Sequence, residues 1–327
     1  MSQTQNRFEA LPFDAPLADY EKEAAEAGAL AAAGRYAFAN WEALAGYVDA
    51  VRQPGSPVFR FESAVEAVIH GDAGALDRLL REDPALPAAR SLRGHHATLL
   101  HYVAANGVEQ YRQKSPSNAA AVAKMLIERG ADVNALADMY GGRCTTLDML
   151  VSSTPPAEAG VQVPVVEVLL DSGAKVEGAL ITALAFGHRD AAEALARRGA
   201  HADNLAAAAG LGRLAEVAHW LPQADGETQH RALALAAQHG YAEIVRLLLD
   251  AGEDPSRYNP PGFHGHSTPL HQAALAGHGE VVRLLVERGA RLDLRDKMYD
   301  GTALDWAAYA GRDGIRDYLA RQQPGVA

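Results

Sequence analysis

The feature that most constrains this chain is that it resembles itself. In STPLHQAALAGHGEVVRLLVERGARLD, residues 267–293, Leu270, Ala273 and Ala274 share one face of a short helix, and Val281, Val282, Leu284 and Leu285 share one face of a second. Gly277 separates the two helices, and Gly289 follows the second where a left-handed residue closes a helix. Thr268 and Pro269 stand where a cap and a first-turn proline belong. Shifted by 34, the pattern returns at Thr302, Leu304, Ala307, Ala308 and Gly311; shifted back by 37, it falls on Leu233, Ala236, Ala237, Gly240, Val245, Leu247 and Leu248. A shift of 170 finds Thr98, Leu100, His101, Ala104, Ala105 and Gly107, with MLIERGADVN closing that unit. A repeat of two short helices cannot bury its apolar face alone, so it predicts a stacked array.

These residues resemble the ankyrin repeat, whose pattern runs from a TPLH start through AA and GH to a VV.LL.GA finish. Residues 267–293 match it almost throughout. Weaker units stand at 61–86, at 145–177 with Asp148 where His is usual, at 179–200 and at 205–225. Eight units over residues 58–323 average about 33 residues each. The resemblance implies an all-α, ankyrin-repeat solenoid of stacked helix-turn-helix units with hairpin-like loops over 58–327. Residues 1–57 carry no such pattern; they read as a helical cap, with Trp41, Leu44, Tyr47 and Val48 packing on the helices of 61–80.

Composition excludes several functions. The formal charge of −11 repels phosphate backbones and anionic headgroups, so neither nucleic acid nor membrane is expected as a partner. Cys144 is the single cysteine, which rules out an internal disulfide and a cysteine-cluster metal site. With no basic start leading into an apolar run and no stretch of about 18 apolar residues, the chain reads as cytoplasmic. Its Ala-, Gly- and Arg-rich usage suggests a bacterial source, and the polar end 316–327 suggests a monomer.

Function is sought in the departures from the repeat. Insertions lengthen the chain at 107–118, 152–164 and 256–267, and the first two, in consecutive units, are expected to form one ledge. The inter-repeat tips carry RGHH, MYGGR, FHGH and KMYD, in the places where ankyrin domains meet their ligands. His96, Tyr111, Tyr140, Arg143, His264, His266, Tyr299 and Asp300 are therefore the candidate contacts to a protein partner, since Tyr and Arg bury area while offering hydrogen bonds. Acidity points to a basic partner. The pairs His95/His96 and His264/His266 lie in distant units without zinc spacing, and His101 and His271 match the TPLH histidine, which in the family bonds backbone between units; no metal and no cofactor is expected. The competing reading is a small-molecule or catalytic pocket in units two and three, drawing on His101, Tyr102, Asp138, Tyr140, Arg143 and Asp148. There His101 would be the base, and Tyr140 or Arg143 would stabilise negative charge. Nothing resembles a nucleophile elbow, a phosphate loop or a dinucleotide fingerprint, so the chain leans away from catalysis.

Overall fold

A computed structural model describes residues 16–200 and 204–323. The ends of the expected cap and of the polar C-terminal tail, residues 1–15 and 324–327, lie outside the described residues, as do 201–203. The chain divides into two compact units at 179/180.

The first unit opens with α1 (Leu17–Ala27), α2 (Ala29–Arg35) and α3 (Trp41–Val51). Tyr20, Tyr36, Phe38, Leu44, Tyr47, Val48 and Val51 form their apolar core, on which Trp41 packs partly buried. Three helix pairs follow: α4 (Pro57–His70) with α5 (Ala73–Glu82), α6 (Leu99–Val103) with α7 (Ala119–Glu128), and α8 (Thr146–Leu150) with α10 (Gln162–Asp171), the last interrupted by α9 (Thr154–Glu158). Helix α3 lies against α4, α4 against α6, and α6 against α8.

The second unit holds α11 (Ala179–Ala185) with α12 (Arg189–Arg197), α13 (Leu205–Gly210) with α14 (Leu214–Trp220), α15 (Gly226–His239) with α16 (Ala242–Asp250), α17 (Pro269–Ala276) with α18 (Gly279–Glu287), and α19 (Ala303–Tyr309) with α20 (Asp313–Gln322). Helices α13, α15, α17 and α19 stack in that order, and α14, α16, α18 and α20 do the same. Leu233, Leu248, Leu270, Val281, Leu285 and Leu319 belong to one continuous core. Helix α13, LAAAAG, is thin by composition. A Cβ at Gly210 would lie 2.7 Å from Leu184 Cδ1 and 3.2 Å from Leu235 Cδ1, so glycine lets the flanking layers close over it. Across that gap His239 Nε2 donates to the Leu184 carbonyl at 2.8 Å.

The all-α, ankyrin-like expectation holds: apart from a two-stranded hairpin, Ala137–Met139 with Gly142–Cys144, the described elements are helical. The threonine starts explain themselves. Thr98 N and Oγ1 meet His101 Nδ1 at 3.2 and 2.8 Å, and Thr268 meets His271 in the same way. With Nδ1 accepting from the backbone, the proton sits on Nε2, which donates to the Cys144 carbonyl (3.3 Å) or the Gly301 carbonyl (3.1 Å) at the start of the next pair. Asp148 and Asp305 make the same cap to Thr145 and Thr302 through Oδ2.

Candidate functional site

In the first unit the tips are tied to one another. Arg90 Nη1 donates to the His96 carbonyl (2.8 Å) and the Leu136 carbonyl (2.7 Å), Asp138 N donates to the His95 carbonyl, and His96 Nδ1 lies 2.9 Å from Asp138 Oδ2. Arg143 stands opposite Asp138 in the hairpin and is exposed. Tyr140 and Gly141 both take positive φ, 52° and 77°, as a two-residue primed turn requires. A tyrosine is an uncommon tenant of that conformation, which favours Asn or Gly. Its hydroxyl donates to Asn106 Oδ1, whose amide nitrogen in turn donates to the Met149 carbonyl and Ser152 Oγ.

His101 is enclosed, with both ring nitrogens engaged as described, and burial lowers its pKa to about 4. Tyr140 and Arg143 belong to the hairpin that ends at Cys144, the carbonyl His101 holds. His101, Tyr140 and Arg143 of the pocket reading are thus neighbours in the repeat register, but the proposed base already spends both nitrogens on the fold.

The insertion at 107–118 turns inward. Glu109 and Arg112 are buried, and Tyr111, 38 % exposed, accepts from Arg93 Nη2 at 3.3 Å. Arg93 Nε lies 2.8 Å from Glu109 Oε1, and its guanidinium rests on the rings of Tyr47 and Phe38 at 5.6 and 6.0 Å. Arg112 Nη1 donates to Glu62 Oε2 at 2.6 Å, and its Nη2 lies 3.1 Å from Glu66. The Ala97 amide donates to His95 Nδ1, which leaves Nε2 to face Glu109 Oε1 at 3.4 Å. Burial alone would raise the Glu109 carboxyl, but Arg93, His95 and Arg112 outweigh it and hold it well below the ordinary carboxylate range. The second insertion is tied inward as well: Ser153 Oγ donates to the Ala105 carbonyl, and Gln162 Nε2 to the Leu150 carbonyl. Charged residues in a loop normally read as solvated, so no local pattern marks this network.

In the second unit the tip at 295–302 is tied together around one buried carboxylate. Asp296, 2 % exposed, accepts from the amides of Met298 (2.9 Å), Tyr299 (2.7 Å) and Gly301 (2.9 Å) and from Trp306 Nε1 (2.9 Å). Those four donors lower its pKa against the opposing effect of burial. Tyr299 is held outward with 71 % of its surface exposed, beside the exposed Met298 and Asp300. The His266 ring lies 6.3 Å from Tyr299 and 5.8 Å from Trp306, while His264 Nε2 donates to the Ala185 carbonyl at 2.8 Å. Trp306 and Phe186 flank these histidines, two aromatic residues that helical periodicity does not single out. Among the described residues no three His, Cys, Asp or Glu side chains gather as a metal-binding set, and no helix is long and apolar enough to cross a membrane.

Comparison with known proteins agrees with the stacked pairs. The family model "Ankyrin repeats (3 copies)" matches residues 204–296 and 233–326. The mouse ankyrin repeat and SAM domain-containing protein 6 is 35 % identical over 106 residues, 32 % of this chain and 12 % of that protein. The human ankyrin repeat and KH domain-containing protein 1 is 39 % identical over 89 residues, 25 % of this chain and 3 % of that protein. The human cyclin-dependent kinase inhibitor 2A is 33 % identical over 123 residues, 36 % of this chain and 76 % of that protein. The chain therefore spans only a small part of the first two relatives and most of the third.

Proposed function

Because the chain belongs to the ankyrin-repeat family, whose repeats are generally protein-interaction modules, we propose that it recognises a protein partner through its inter-repeat tips. The observation that carries this reading is backbone conformation. His96, Tyr140, His264 and Asp300, four non-glycine residues at tips or insertions, hold φ of 48°, 52°, 60° and 55°. Such residues cost the fold on the order of 1 kcal/mol each, and positions where the cost persists cluster where side chains are used. The Asp296 scaffold adds preorganisation, since an anchor held in place loses little entropy on binding. Tyr299 and Asp300 in the second unit, and Tyr140, Arg143, His96 and the exposed edge of Tyr111 in the first, are the proposed contacts; His264 and His266 contribute by supporting the second tip.

A basic partner suits the net charge of −11, and residues 16–57 serve as a cap on the first pair. The human kinase inhibitor is by its name an inhibitor of another protein, which is consistent with a binding role without specifying a target here.

The test is affinity capture from lysate of the source organism with the wild-type chain, a Tyr299→Ala/Asp300→Gly variant and a Tyr140→Asn/Arg143→Ala variant, all confirmed folded by melting. A protein held by the wild type and lost by either variant supports tip recognition. A protein held equally by all three removes the tips from the reading.

A further inference from the structure

The insertion at 256–267 crosses the second unit as a strap. At its foot the Tyr258 hydroxyl donates to the Arg295 carbonyl at 2.6 Å, His230 Nε2 donates to the Tyr258 carbonyl at 3.0 Å, and Lys297 Nζ sits 4.0 Å from the Tyr258 ring centre. Farther along, Phe263 is buried with the Arg231 guanidinium 5.8 Å from its ring, and His264 reaches the Ala185 carbonyl beside Phe186. The strap returns through His266, whose carbonyl accepts from Lys297 N at 2.8 Å. Its span thus runs from the 295–302 tip to the C-terminal end of α11.

We propose that the face beneath this strap is a docking site for an extended peptide segment of a partner protein, and that residues 258–266 occupy it as an internal ligand. The strap itself defines the chemistry. The site takes one aromatic side chain against Arg231, followed at once by a hydrogen-bond donor to the Ala185 carbonyl. That carbonyl ends α11 and takes an imidazole N–H, so the segment supplies an uncharged N–H or O–H donor there. Burial keeps His264 from gaining charge in this position. The closed strap also carries costs that a partner segment need not share. His264 sits at φ 60°, and the Asn259 side chain is 3 % exposed with neither its amide nitrogen nor its oxygen partnered. A segment that keeps the aromatic and the donor without those two defects competes for the face.

This inference rests on the protein-binding reading, and its test is separate from lysate capture. A fluorescein-labelled synthetic peptide with the sequence of residues 256–267 is titrated by anisotropy against two full-length chains: the wild type, and one whose residues 259–266 are replaced by a Gly-Ser linker of equal length. Saturable binding to the replaced chain, at least tenfold weaker to the wild type and at least tenfold weaker for the peptide carrying F263A, supports the proposal. Absence of binding to the replaced chain, or equal binding to both chains, overturns it. Dimerisation of the replaced chain with wild type in sedimentation would instead make a second copy the occupant, which also overturns it. Should the replaced chain not fold, a wild-type chain carrying F263S and H264A takes its place, and peptide binding to it is required on the same terms. If the peptide fails while the tip variants still lose their partner, only the strap inference falls.

Discussion

Arg93 and Glu109 meet at 2.8 Å with neither side chain reached by solvent, which joins a loop of the second helix pair to the insertion that follows α6. Removing one partner strands the other as a buried charge, and that costs about 3–5 kcal/mol. Glu109→Gln and Arg93→Met should each lower stability by that order, while the Arg93→Met/Glu109→Leu double variant should lose clearly less than the sum. Denaturant melts arranged as a double-mutant cycle measure the difference. Additive losses would show that the two charges are not coupled.

Acid should destabilise the fold in two stages. His101 falls from an ordinary 6.5 to about 4 in the fold, so between these values the unfolded chain binds the extra proton. Its contribution is complete above pH 6.5 and is lost as pH falls toward 4, amounting to roughly 3 kcal/mol. Glu109, held below its ordinary 4.5, adds a further loss beneath that value. Melting temperature against pH checks both stages. In a His101→Asn variant the first stage should shrink, leaving the shares from His239, His264, His266 and His271, which burial also depresses.

The threonine–histidine cap separates two bonds. His271→Asn keeps an oxygen for the Thr268 cap but is too short to reach the Gly301 carbonyl, and should cost about 1 kcal/mol. His271→Ala loses both and should cost about 2–3 kcal/mol. Equal losses in thermal melts would mean that one of the two bonds contributes nothing.

Gly210→Ala improves helix propensity in α13, yet it should destabilise. Its methyl would sit 2.7 Å from Leu184 Cδ1, closer than packed carbons allow, and the resulting shift should cost about 1–3 kcal/mol. A gain in melting temperature would show that Leu184 yields freely.

The helix pairs and their caps were legible because each depends on residues a few positions apart: Thr268 with His271, Gly277 at the break, Val281 through Leu285 on one face. Asp148 in place of histidine is legible as a departure, and its oxygen on the Thr145 amide makes it an equivalent cap. The candidate contacts differ in what holds them. Tyr299 and Asp300 stand outward as a tip would present them, whereas His264 turns back to a carbonyl 79 residues away and Tyr111 leans on Arg93. Loop sequences such as GVEQYR and NPPGFHGH carry the same polar and turn-forming residues whether they extend into water or fold against the helices. What decides between these outcomes is a partner supplied by distant sequence, and no local period records it.

The choice between histidine and aspartate at the third position of a capped helix also tells where the chain can be cut. His101 and His271 close their own helix and donate an N–H to a carbonyl of the pair that follows. An aspartate closes its helix equally well but has no N–H to pass on. Asp148 belongs to the last pair before the 179/180 division, and Asp305 to the last pair described. A truncation after α7 or α18 therefore removes the carbonyl that a histidine of the preceding pair holds, whereas one after α20 takes no acceptor from Asp305. One side chain thus distinguishes caps that also tie a helix pair to the next from caps that serve their own helix alone.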